Sequence, residues 1–349
     1  MRNKHVTRVL VWVLGLGLCA ALSASPVITV THAPQSLNNL ESSWDWAFKA
    51  ASQKAGDSGF YIGYMIEQDK NTSVYMGKDA GTSLYEIIYG KKRTGELTEK
   101  EVAILFRFEE DPKNRRDFSD VDLNSLNHPA DLDKVPLFWL GRMQTNESIT
   151  FLKECFQAAR TDKNRKHLVA AVGIHGPNKD GFLFLKKVLA GDYATKVREQ
   201  CAFWIGQQQS AEAAKVLLDT VYNDRSQDVR EHAVFGLYLV KRKEADDALV
   251  KLAKYGKEKE IRKKAIFWLG QKAAEHTEEL LADIAANDTD DEIQEAAVFA
   301  ISRQPNGVSK LIDIADTHRS LSVRKHAIFW LSQSKDPRAL DKILSILEK

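Results

Sequence analysis

Beyond residue 130 the apolar positions of the chain recur with two periods at once. Within a segment they fall at i, i+3 and i+4, the spacing that lays one apolar stripe along a helix. Whole segments then return about every 32 residues. One column of this longer repeat holds Asp133, Arg165, Arg198, Arg230, Arg262, Gln294 and Arg324. Seven places after each stands Leu140, Val172, Ile205, Leu237, Leu269, Ile301 or Leu331. A second segment in each copy carries Leu152, Phe184, Leu217, Leu249, Leu281, Leu311 and Leu340. Each copy therefore predicts a pair of amphipathic helices, about seven pairs in all, and no pair can bury its stripe without stacking on the next. Gly141, Gly173, Gly206 and Gly270 stand where the first helix should stop, the place of a left-handed cap.

Two aromatic columns run through the same repeat. Trp139, Ala171, Trp204, Gly236, Trp268, Ala300 and Trp330 alternate large and small without exception. Such alternation predicts indoles interdigitating with small side chains of the adjacent copy in a dense interior. On that reading Trp268→Ala costs about 3–5 kcal/mol. The column one place earlier reads Phe138, Ala170, Phe203, Phe235, Phe267, Phe299 and Phe329, roughly 160° from the most apolar direction of the helix. Either these rings fill the seam between adjacent first helices, or they form an outer apolar ridge that marks a partner site. In the second case Phe203, Phe235, Phe267, Phe299 and Phe329 are the binding residues.

The Val-Arg…Ala…Leu-Gly pattern at residues 197–206 and 261–270 resembles HEAT repeats, in particular the short bacterial type also found in bilin lyases. The resemblance covers about residues 132–349. It implies a mainly α fold, a right-handed α-solenoid of about seven hairpins over residues 131–349, and a role as an interaction scaffold whose partner is another protein.

Residues 26–130 do not follow the period. Residues 36–55 read as an amphipathic helix, and residues 60–67 ("FYIGYMIE"), 101–109 and 116–121 as strands. A small α+β unit that covers the first repeat is expected, since the terminal units of a solenoid need atypical covers.

Residues 1–25 begin with Arg2, Lys4 and Arg8, continue with an apolar run and end in small residues, the layout of a secretory signal. The run is too short to span a membrane. Export to the periplasm or outside the cell is therefore expected, with no membrane span after cleavage. Without that segment 47 basic residues face 48 acidic ones, and no basic face points to nucleic acid. Cys155 and Cys201 are then the remaining thiols, too few for a disulfide scaffold.

Catalytic signals are sparse. Deoxyhypusine hydroxylase, built from comparable repeats, binds two irons through His-Glu dipeptides, and this chain has none. His167, His232 and His326 share one column, but in units separated by more than a metal site spans. No phosphate loop is present. The expectation is a non-catalytic scaffold with no metal or cofactor, monomeric or weakly self-associating. A repeat-based enzyme (hydroxylase-like or bilin-lyase-like) and a self-assembling structural protein are the alternatives.

Overall fold

The apolar stretch that reads as a strand over residues 60–67 lies in the middle of a five-stranded sheet. The computed structural model describes residues 29–37, 39–54, 58–68, 83–91, 100–130, 132, 135–272 and 275–347, of which Lys54, Glu275 and His276 are described by backbone alone. The expected signal and Asp133 lie outside them.

The N-terminal unit comprises β1 (Val30–His32), α1 (Leu40–Lys54), β2 (Phe60–Glu67), α2 (Leu84–Tyr89), β3 (Glu101–Phe108), β4 (Asp120–Ser125) and β5 (Leu137–Arg142). The strand order is β1-β5-β2-β3-β4. β5 runs parallel to β1 and β2, and β2–β3–β4 form an antiparallel meander with Ile62 opposite Phe106 and Ile104 opposite Leu123. Both faces of the sheet are covered. Phe60, Ile62, Tyr64 and Phe106 join the main core, with Trp44 of α1, while Tyr61, Leu105 and Trp139 join a second core closed by Leu84 and Ile88 of α2.

β5 corrects the expected first repeat. Residues 137–141 fall within the expected first helix of that repeat, but Leu137 and Trp139 point into one core and Phe138 and Leu140 into the other. A short run that is apolar on every side satisfies either period, and its place between two strands decides for the sheet. The solenoid thus starts with one unpaired helix, α3 (Thr145–Ala158). Six hairpins follow: α4 (Asp162–Gly173) with α5 (Lys179–Leu189), α6 (Thr195–Gly206) with α7 (Ala211–Asn223), α8 (Gln227–Leu239) with α9 (Lys243–Tyr255), α10 (Lys259–Gly270) with α11 (Glu275–Asn287), α12 (Asp291–Ser302) with α13 (Gly307–Thr317), and α14 (Leu321–Ser332) with α15 (Pro337–Leu347). One continuous core runs from Leu40 through the helices to Ala339, so the N-terminal sheet covers the first end of the stack as a terminal unit should.

The glycines of the repeat act differently from expectation. Gly173, Gly206 and Gly270 are the last helical residues, and the cap positions after them, Ile174, Gln207 and Gln271, are right-handed. Their role is close approach. A side chain on Gly173 would collide with the Trp204 ring, a Cβ on Gly206 would lie 2.7 Å from the Gly236 carbonyl oxygen, and one on Gly270 would lie 2.8 Å from Ala300 Cβ. The Trp204 indole therefore leans back over a glycine two places beyond Ala171, the small residue expected to receive it. The small members of the Trp column, Gly236 and Ala300, let α6 meet α8 and α10 meet α12.

Loop carboxylates tie the units together. Arg198 pairs with Asp224 at 2.5 Å, both buried, and Arg262 pairs with Asp288. Arg165 departs from this, bonding Asp162 at 2.9 Å within its own helix.

Candidate functional site

Residues five and six places after the Arg column lie on the free side of the first helices, where rings from successive units meet. Phe203 approaches Phe235 at 6.1 Å. Phe235 stacks on Trp268 at 4.5 Å, with Tyr238 on the same indole at 4.7 Å. Phe267 stacks on Phe299 at 6.0 Å, and Phe299 meets Trp330 at 4.8 Å. The two readings of the Phe column thus merge, because rings that fill the seam also remain partly open to solvent. Phe203, Phe235, Phe267 and Phe299 are half-buried, and Phe329, beside Trp330, is 53% exposed. Phe138 belongs to β5 and is buried in the core.

The Trp column divides along its length. Trp139 and Trp204 are buried, but Trp268 and Trp330 are only half-buried, against the expectation of four core indoles. Together with Phe235, Phe267 and Phe299 they line a cavity of about 590 Å3 that crosses α8, α10, α12 and α14. That volume lies in the range of sites that enclose a small ligand or a few side chains.

The cavity opens where a repeated polar contact is missing. Along the first helices a carboxylate one place after the Arg column reaches the residue two places after it in the next unit. Glu199 meets His232 at 3.8 Å, Glu231 meets Lys264 at 3.1 Å and Glu295 meets His326 at 3.8 Å. Between α10 and α12 the rung would join Lys263 to Ala296, and the methyl group cannot reach it. Lys263 turns instead to Glu260 and Glu292, each at 3.3 Å. Ala296 is left among the lining residues.

Charge on the rim is mostly paired. Burial pushes the Glu231 carboxyl up, but Gln227 and Lys264 outweigh it and hold it below the usual range. Lys259 and Lys263 hold Glu292 below its usual range. On the second helices Lys186 reaches Glu212, and Glu154 reaches Arg116.

Of the expected binding residues, the fold brings Phe235, Phe267 and Phe299 into the cavity, while Phe203 and Phe329 extend the aromatic ladder beyond its two ends. Sequence reasoning missed Trp268, Trp330, Glu295 and Ala296. Only Ala296 left a signal, as the one small residue in the column His167, Gln200, His232, Lys264, Ala296, His326. His232 and His326, read as isolated, stand on the rim of the same cavity.

Elsewhere, Cys155 and Cys201 are free and buried, and burial pushes both thiols up, away from the nucleophilic thiolate. Asp120, Asp122 and His167 bring ligating atoms within 4.8 Å of one another, yet Lys163 pairs with Asp120, and His167 Nδ1 donates to the Val121 carbonyl.

Comparison with known proteins agrees with the repeat. Residues 183–270 match the HEAT repeats family, and residues 323–349 match the PBS lyase HEAT-like repeat. No curated protein matches the chain. Similar solved structures include human deoxyhypusine hydroxylase in complex with glycerol, at 16% identity and a TM-score of 0.25, covering 53% of this chain and 83% of that one. The CpcE–CpcF complex of phycocyanin lyase from Nostoc sp. PCC7120 aligns at 16% identity and a TM-score of 0.34, covering 58% and 88%. Escherichia coli YibA aligns at 19% identity and 0.37, covering 59% and 79%. The chain is mostly helical and carries HEAT repeats, with a small α+β unit at its N-terminal side, and none of its described helices is long and apolar enough to cross a membrane.

Proposed function

We propose that this chain is an exported, non-catalytic scaffold, a right-handed solenoid that holds a segment of another protein against the aromatic face of α8–α14. The observation that supports the reading is the convergence of three Phe and two half-buried Trp side chains on one cavity of about 590 Å3. Aromatic side chains left partly open at a groove offer large apolar area at low entropic cost, the property of an interface anchor. The layout of residues 1–25 supports export.

A photo-crosslinking side chain placed at Phe267 tests the site. The expected result is one discrete adduct with a different protein, absent when the same group replaces Tyr222, which is exposed on the second-helix face. Crosslinking equally from both positions removes the groove as the site. An adduct only between copies of the chain replaces this reading with self-assembly, which light scattering on Phe267→Lys would then register as a loss of the larger species.

A further inference from the structure

The lining of the groove carries an excess of negative charge. Four carboxylates, Glu231, Glu260, Glu292 and Glu295, share it with two ammonium groups, Lys263 and Lys264. Both lysines are already held, Lys264 by Glu231 and Lys263 by Glu260 and Glu292. Glu295 is different. Its partners are Ser322 Oγ at 2.5 Å and His326 Nδ1 at 3.8 Å, and no Lys or Arg reaches it among the described residues. Its side chain is only 25% exposed. It stands one turn before Phe299 on the same helix face, next to the gap at Ala296, with the Phe267–Phe299 stack and Trp330 alongside.

A carboxylate beside aromatic faces selects for a cation. The π faces are the negative side of each ring, and a guanidinium can lie flat on one while donating two N–H bonds to the carboxylate. An acidic segment would meet four carboxylates and lysines already engaged. A wholly apolar segment would cover Glu295 without giving it a donor.

We propose that the occupant of the groove is a peptide segment carrying an arginine between apolar residues, its guanidinium seated between Glu295 and the Phe299–Trp330 pair. This rests on the groove being the partner site, as argued above. Calorimetric titration of the full chain with two blocked tetrapeptides, Leu-Phe-Arg-Leu and Leu-Phe-Leu-Leu, separates the two claims. The arginine peptide is expected to bind about ten-fold tighter than the leucine peptide. Glu295→Gln should remove that difference and leave the leucine peptide unchanged. Ala296→Trp, whose ring enters open space, should abolish binding of both at an unchanged thermal midpoint. Equal affinities for the two peptides in the native chain overturn the arginine assignment and leave the groove standing. Binding of neither peptide, or binding untouched by Ala296→Trp, overturns the groove reading and this proposal with it.

Discussion

A single imidazole makes the junction between the sheet and the helices sensitive to acid. His175, just after α4, is buried, and its Nε2 lies 3.0 Å from Ser148 Oγ, which in turn lies 3.0 Å from the Tyr64 hydroxyl of β2. Burial lowers the His175 pKa from 6.5 to about 4. The unfolded chain therefore takes up a proton near pH 6.5 that the folded chain refuses until about pH 4. This contribution to stability is complete above pH 6.5 and is lost as pH falls towards 4, by up to about 3 kcal/mol. Urea unfolding at pH 7 and pH 4.5 should show the loss, and His175→Gln should flatten it; the same pH slope in both proteins would rule the imidazole out. The indoles make a second contrast at this scale. Trp204 is buried over Gly173, whereas Trp268 keeps one side open to the cavity. Trp204→Ala should cost about 3–5 kcal/mol and Trp268→Ala roughly half of that. Equal losses in denaturant unfolding would mean that the cavity side of Trp268 is packed.

Pairs of helices come together where the sequence places two small residues in register. Gly206 faces Gly236 across α6 and α8, and a Cβ on Gly236 would fall 2.8 Å from both the Ala202 carbonyl oxygen and Leu217 Cδ. In an isolated helix Gly→Ala gains up to about 1 kcal/mol. Here the added methyl must push two helices apart, at a cost of about 1–3 kcal/mol. Gly236→Ala should accordingly lower the urea midpoint, and a raised midpoint would refute the close approach. The alternation of Trp with small residues was legible in the sequence, and so was the presence of an interlock, but its geometry was not. Periodicity gives the direction in which a side chain points, whereas the partner it meets depends on the axial offset between neighbouring helices. Residues 60–67 lie outside the 32-residue repeat and read as a strand, whereas residues 137–141 fall on its columns and read as a helix. The latter are apolar on every side, and the parallel strands that claim them, β1 and β2, lie 105 and 70 residues or more upstream in the sequence. The groove falls between these cases. Its Phe rungs were visible as a column, but the cavity depends on a rung that is missing at Ala296.

Across the described residues the stack is covered by the sheet at one end and by no further element at the other. At the first end, Trp44 of α1 packs edge-on against Phe106 at 4.9 Å and tilted against Phe151 of α3 at 4.5 Å, and Arg116 lies over the same Phe151 ring at 4.1 Å while its Nη2 bonds Glu154 at 2.8 Å. The sheet thereby gives the first helices a second neighbour. At the far end, among the described residues, α15 packs on one side only, and Leu340, Leu344 and Leu347 are exposed. In a stack whose stability is a sum of unit and interface terms, each helix is held by the faces it shares, so a unit with one shared face opens first. Amide protection by hydrogen exchange should therefore be highest over α3–α8 and fall towards α14 and α15. Substitutions should follow the same gradient. Leu217→Ala, in the buried interior of α7, should cost about 2–5 kcal/mol, whereas Leu344→Gln should change stability by less than about 0.5 kcal/mol. The gradient also bears on the groove, whose α14 wall carries Trp330 and His326 and belongs to the less protected end. An occupant that bridges α8 to α14 binds the folded stack and not the opened one, so protection of α14 should rise when it binds. Uniform protection along the helices, or an α14 indifferent to the arginine tetrapeptide, would contradict a stack held unit by unit and bridged at its open end.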